Sequence, residues 1–265
     1  MGGAERKSHN IERGDNDVLA GVEANAVSEI EAALRGQLEM VRRARGGRSV
    51  DAIIEAVMAG WARDDTLVVA LRGLLLASAE EGLQMVGRHL PFEPGVGIDW
   101  TLANTAVSEW VEDYGFDLVT GINETSADRL RRVMRRWIDE GGTLDELADD
   151  IRPIFADDVA TAQIEAIFKV DRAHLIASTE ATRAYAHGKV QGYLASGLAE
   201  VGPVVMPPDD SHVGCRCDVG LEKRDGVWHW VWYTARDDRV CPVCAPLHLQ
   251  SVGVAKAAKV EVSDG

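Results

Sequence analysis

Cysteine is absent from the first 214 residues, and the four that the chain has all fall between Cys215 and Cys244. Four cysteines in 265 residues are too few for a disulfide scaffold. Positive charge is scarce as well: 28 Lys and Arg stand against 43 Asp and Glu, a net of −15. That excludes binding of nucleic acid over the whole surface, which needs a cationic footprint, though not a local basic patch. No apolar run is long enough for a bilayer; the longest, Leu67–Ala79, is interrupted by Arg72. Met1–Gly14 is polar and charged, so no secretory leader is expected and the thiols are expected to meet a reducing compartment. Internal repeats, low-complexity blocks and, before residue 200, strand-like alternation are all missing. With 46% apolar and 27% charged residues the chain can still bury a core.

A helical period fills the space left by those absences. It begins at Val18, runs through Ile30, Leu34 and Val41, and stops at Gly46-Gly47. Ser49 is placed to cap a second helix carrying Ile53, Ile54, Val57 and Trp61, and Asp64 or Asp65 a third that reaches about Leu90. Pro91–Gly97 reads as a loop, and Asp99 caps a helix from Trp100 to about Ile122. Thr125-x-x-Asp128 resembles a capping box that opens a separate helix, ended by Gly141-Gly142. Thr143-x-x-Glu146 is a better box, for a short helix ended by Pro153; Asp157 or Asp158 caps the next, to about Val170. A long helix over Asp171–Leu198 stops at Gly197. After Gly202-Pro203 the pattern changes. Pro207-Pro208 marks a turn, Cys217–Leu221 and Val227–Tyr233 read as strands, and Asp225-Gly226 joins them as a hairpin. The expected fold class is mainly α: a multi-helix body followed by a small C-terminal α+β module stapled by metal. The expected division is a flexible N-terminus (1–17), a helical body (18–200), a Cys/His/Trp-rich zinc module (201–252) and a weakly structured tail (253–265).

The cysteines form a C-x-C pair, Cys215 and Cys217, and a C-x-x-C pair, Cys241 and Cys244, with His212 and His248 just outside. This is the spacing of a tetrahedral zinc site, and a terminal module of this size needs such a staple. Either histidine can replace a cysteine. Four buried, reduced thiols are the plainer alternative, and a disulfide the third. Four ligands leave no open position, which favours structural over catalytic metal. A zinc deaminase needs H-x-E, and no His here is followed two residues later by Glu. A metal-finger nuclease would draw on Arg236, Arg239 and His229, but the paired His and Asp of a hard-metal site are not there. Trp228, Trp230 and Trp232 share one strand face, as a small core around the metal or as a base-stacking platform. Arg129, Arg132, Arg135 and Arg136 form a patch for phosphate or an acidic partner, or a solvated face paired with neighbouring acids. Glu180, a lone glutamate on a helix, is expected at the surface.

Two segments together resemble a known family. One is Ala173-His-Leu-Ile-Ala-Ser-Thr-Glu180-Ala-Thr-Arg183-Ala-Tyr-Ala-His-Gly188. The other is Trp232-Tyr-Thr-Ala-Arg-Asp-Asp-Arg-Val-Cys241-Pro-Val-Cys244-Ala-Pro-Leu, accompanied by His212-x-x-Cys215-Arg-Cys217. They are similar to the I-A-x-T-E-x-x-R-A helix and the cysteine elements of the phage head-morphogenesis, or minor head protein, family of tailed bacteriophages (the Mu F-like group). The likeness covers roughly residues 100–250, with one departure: most members have C-x-x-C first and H-x-x-C-R-C after it, and here the order is reversed. The resemblance implies a non-enzymatic virion component in the capsid interior near the portal vertex, present in the host cytoplasm during assembly. The partner it implies is the phage portal protein, with the major capsid or scaffolding protein and packaged double-stranded DNA as further contacts and no membrane. The competing expectation is a metal-dependent nuclease or effector enzyme carried by the phage head.

Overall fold

Helices begin in this chain where a polar side chain can take up the first unpaired backbone N–H groups. Ser49 accepts from the Ala52 N–H at 3.1 Å and opens α2 (Val50–Trp61). Asp64 accepts from Thr66 N–H at 3.0 Å at the start of α3 (Thr66–His89). Asp99 accepts from Leu102 N–H at 3.0 Å at the start of α4 (Trp100–Asp139). Thr143 and Glu146 make the reciprocal box, at 2.8 and 3.3 Å, for α5 (Leu144–Asp149). The bonds from Thr143 hold the Glu146 carboxyl below its usual range. Asp157 accepts from Val159 and Ala160, both at 2.8 Å, for α6 (Asp158–Ile167). α1 (Arg13–Arg42) and α7 (Val170–Ala195) complete the helices, and a 3-10 turn over Arg152–Ala156 carries Pro153.

The computed structural model describes residues 13–44, 49–90, 97–149, 151–206, 216–234 and 242–256. The Gly46-Gly47 stop, the loop over 91–96, the Pro207-Pro208 turn, residues 1–12 and the end of the tail (257–265) lie outside them. Within them the chain is mainly helical with one small sheet, and no helix is long and apolar enough to cross a membrane.

Three sequence expectations change. The two helices expected on either side of Thr125 are one, α4, of 40 residues. Ser126 Oγ donates back to Ile122 O at 2.7 Å within the continuous ladder, and Asp128 pairs with Arg131 instead of capping. Residues 13–17, expected to be flexible, form the first turn of α1. The chain after Val252, expected to be weakly structured, contributes to β3 (Ser251–Lys256).

The chain divides into two compact units. The first comprises Met1–Glu23, Leu75–Glu109 and Ser178–Gly265; the second comprises Ala24–Leu74 and Trp110–Ala177. The second unit buries Ile30, Leu34, Ile53, Ile54, Trp61, Leu71, Leu130 and Met134 almost completely. Each such side chain contributes about 1.5–3 kcal/mol relative to exposure. Trp61 also donates to Gln37 O at 3.3 Å and packs edge-on against Phe168, with ring centroids 6.0 Å apart.

In the first unit, α3 and α7 come together backbone to backbone. A Cβ on Gly82 would lie 2.1 Å from Tyr185 O, and one on Gly188 would lie 1.9 Å from Ala79 O. Only glycine permits that approach. The sheet of this unit is antiparallel in the order β1-β2-β3, with β1 at Asp218–Arg224 and β2 at Val227–Tyr233. Asp225 (φ 49°) and Gly226 (φ 82°) make the two-residue turn that the Asp-Gly signal predicts. Glu200 and Val201 donate to Ala255 O at 2.8 and 3.3 Å, and Val204 to Val252 O at 3.3 Å, so the chain entering the module lies along β3.

Candidate metal centre and a buried polar seam

The β1–β2 register pairs Asp218 with Tyr233 and Arg224 with Val227. Cys217, the residue before β1, and Thr234, the residue after β2, therefore belong to the same end of the sheet, opposite the Asp225-Gly226 turn. Leu249 donates to Trp232 O at 2.8 Å and Trp232 to Gln250 O at 3.0 Å, which fastens the chain after a second 3-10 turn (Ala245–Leu247) to that end. His248 Nδ1 accepts from Thr234 N–H at 3.2 Å and lies 3.0 Å from its hydroxyl. Cys244 precedes this 3-10 turn and is 2% exposed; Cys217 is 1% exposed.

Two of the four predicted cysteines are thus buried within the sheet module, with His248 at the same sheet end as Cys217. Cys215, Cys241 and the alternate ligand His212 lie outside the described residues, as do Arg236 and Arg239. Among the described residues no three His, Cys, Asp or Glu side chains are grouped to hold a metal. The bond to Thr234 has a consequence for His248. Because Nδ1 accepts, the proton of the neutral ring sits on Nε2. A metal-bound histidine has the reverse arrangement, one nitrogen on the metal and the other donating its proton.

Trp230 is fully buried, its ring edge-on to Tyr193 of α7 at 5.8 Å, and its N–H donates to Val201 O at 2.8 Å. Trp232 is 3% exposed, whereas Trp228 is half-buried under Lys223. Two of the three tryptophans are core residues of the module. The other face of β2 is closed too: Val231 and Tyr233 are buried, and Tyr233 donates to Glu222 at 2.8 Å.

The arginine patch on α4 separates into two sets. Arg131 bonds Asp51 at 2.8 Å and Asp128, and Arg135 lies 3.7 Å from Asp51. Arg129, Arg132 and Arg136, spaced three and four residues apart, share one exposed helix face. Among the described residues they have no carboxylate partner.

A second constellation was not expected from the sequence. The face of α7 that packs in the first unit carries buried charge. Glu180 is 6% exposed, against its expected place at the surface. Burial pushes its carboxyl up to about 7, and Arg183 donates to it at 3.4 Å. Burial likewise lowers His187 to about 4. Lys189 forms an ion pair with Asp218 of β1, both almost inaccessible, and Asp218 also accepts from Val219 N–H at 2.7 Å. Arg216 grips Glu23 of α1 with two bonds, 2.8 and 2.5 Å. These charges tie α7, α1 and the sheet together. The signal for Glu180 was in its neighbours: Ala177, Ala181 and Ala184 share its face, and small residues at that spacing mark a surface that another element approaches closely.

No family model, curated protein or solved structure matches the chain significantly.

Proposed function

We propose that the chain is a minor head protein of a tailed phage. It joins the procapsid in few copies, binds the portal protein on the inner side of the capsid vertex, and influences packaging or ejection of DNA without catalysing a reaction. One observation supports the reading most. Most of the helix segment (from Ser178) and the cysteine segments belong to one compact unit, and a buried ion pair joins residues directly beside them. Glu180 and Arg183 of the helix motif pair on α7, and Lys189 on the same helix pairs with Asp218, the residue directly after Cys215-Arg-Cys217. In this reading the buried ion pair fixes the geometry of the unit that docks on the portal.

The module carries a structural zinc ion on Cys215, Cys217, Cys241 and Cys244 in this reading. Cys217 and Cys244 suit it, being buried within the sheet module. His248 suits it less, since the Thr234 bond leaves the proton on Nε2. The ion would clamp the strand entering at Cys217 to the turn at Cys244. The purified, reduced protein is expected to carry about one zinc per chain. Cys241→Ser with Cys244→Ser should melt the sheet signal while the helical circular dichroism persists; metal-free protein with an intact sheet would sink the zinc assignment.

The portal role is tested separately, by gel filtration of the chain with a tailed-phage portal ring. Stable co-elution is expected. A ring that elutes alone, together with cleavage of duplex DNA abolished by a chelator, would favour the enzyme reading.

A further inference from the structure

The second unit contains a groove of about 400 Å³ along α4, closed at one end by Arg172 from the start of α7. Tyr114, Leu118 and Ile122 make its apolar wall, and Asp117 and Thr125 its polar rim. These positions recur every three or four residues on one helix face. From Tyr114 to Thr125 they span about 16 Å, the length of roughly five extended residues.

Arg172 donates to Ser126 Oγ and Ile167 O, both at 2.8 Å, and to Ile122 O at 3.2 Å. All three acceptors are neutral, and among the described residues no carboxylate reaches its guanidinium. Five donors are available on an arginine, so this one keeps capacity for an anion. Burial, then the nearby charge of Arg129, lowers Arg172 to about 10. Two like charges near each other, with no carboxylate partner among the described residues, create a local demand for negative charge. Asp117 lies on the same face about 7 Å nearer the helix start. The groove is therefore positive where Arg172 meets Ile122, and apolar towards Tyr114 apart from Asp117 on its rim. A polyanion such as DNA would meet Asp117 as well as Arg172. A short segment with acidic residues beside apolar ones can reach Arg172 without setting a run of negative charge against Asp117.

We infer that this groove docks an acidic, apolar-flanked segment of a partner polypeptide, its carboxylate on Arg172 and its apolar side chains against Tyr114, Leu118 and Ile122. The groove's chemistry stands without the phage assignment, and its test uses no phage component.

The probe is a fluorescein-labelled peptide, Lys-Phe-Leu-Asp-Glu-Leu, titrated with the full chain and read by fluorescence anisotropy. Its control replaces Asp and Glu by Asn and Gln. The acidic peptide should bind saturably, and the control at least about tenfold more weakly. Gly121→Leu blocks the groove: a side chain there enters open space, so the helix is kept and strengthened while the site is filled. Binding should be lost in that variant with the circular dichroism unchanged. Arg129→Gln, an exposed substitution that leaves the packing alone, should weaken binding about threefold. No saturable binding by the acidic peptide, equal binding of the control, undiminished binding by folded Gly121→Leu, or easier displacement by duplex DNA than by unlabelled peptide would each overturn the inference.

Discussion

The two units handle charge in opposite ways. In the unit built from Ala24–Leu74 and Trp110–Ala177, ion pairs sit at the surface: Arg131 with Asp51, Arg42 with Glu165, Arg72 with Glu112. In the other unit several are inside, although Arg88 with Glu81 and Arg224 with Glu222 stay partly exposed. Among the described residues the buried charged side chains are Glu23, Glu180, Lys189 and Asp218, and all four belong to the unit that holds the sheet. Apolar burial is non-directional and tolerates repacking, while a buried charge is stable only with its partner in place. The first arrangement builds a scaffold; the second fixes one geometry, and it does so where both cysteine-bearing segments enter.

The comparison breaks most sharply at Lys189. Lys189→Met keeps the apolar stem but leaves the Asp218 carboxylate buried without its cation. A loss of about 3–5 kcal/mol in chemical denaturation is expected. Adding Asp218→Asn to the same chain should recover most of it, because the uncompensated charge is gone. A loss below about 1 kcal/mol for the single variant would place this pair with the exposed ones.

Next in size is a pair of glycine substitutions. Gly188→Ala drives a Cβ to within 1.9 Å of Ala79 O, and a backbone carbonyl cannot swing aside. α3 and α7 must separate, at a cost of at least about 1–3 kcal/mol. Gly121→Ala, in the other unit, meets open space and should be neutral or stabilise by up to about 1 kcal/mol. Thermal melts of the two variants side by side would show opposite signs; a shared sign would end the contrast in backbone packing.

Much of this was legible from local chemistry. Ser49, Asp99 and Asp157 cap the helices expected of them, and Asp225-Gly226 turns the expected hairpin, since each signal acts within about four residues. What failed depended on distant chain. Thr125-x-x-Asp128 has a capping pattern, but nothing in the ladder breaks and Asp128 is taken by Arg131. Ser251–Lys256 is a strand because β2 offers it an edge, not because its small residues favour one. Glu180 is buried because other elements cover the alanine face it shares. At the candidate metal centre the cysteine spacing was readable, whereas the Thr234 bond that fixes the proton of His248 exists only because the chain around Leu249 is fastened to the end of β2.

Two groups on α7 make the buried seam visible to pH. Glu180 has a folded value of about 7, above its ordinary 4.5, so the folded state binds its proton more tightly. Its contribution is fully present below 4.5 and is lost as pH rises through about 7. His187, lowered from 6.5 to about 4, acts in the other direction: its contribution is present above 6.5 and is lost as pH falls through about 4. Between roughly pH 4.5 and 6.5 the two slopes oppose each other, and the wild-type profile should be nearly flat there. Glu180→Gln should leave stability rising with pH across that window, and His187→Gln should leave it falling. Parallel profiles for both variants would mean that neither group titrates as buried.

The smallest expected effect is at the surface of the other unit. Asp51→Asn removes the shared acceptor of Arg131 and Arg135 in one step. Arg131 keeps Asp128, and both guanidinium groups remain open to water, so nothing is stranded. The loss should stay below about 1 kcal/mol and shrink further in high salt, where exposed pairs are screened. A loss comparable with that of Lys189→Met would mean that the exposed pairs of α4 fix geometry as the buried ones do. The division of labour between the two units would then have no energetic basis.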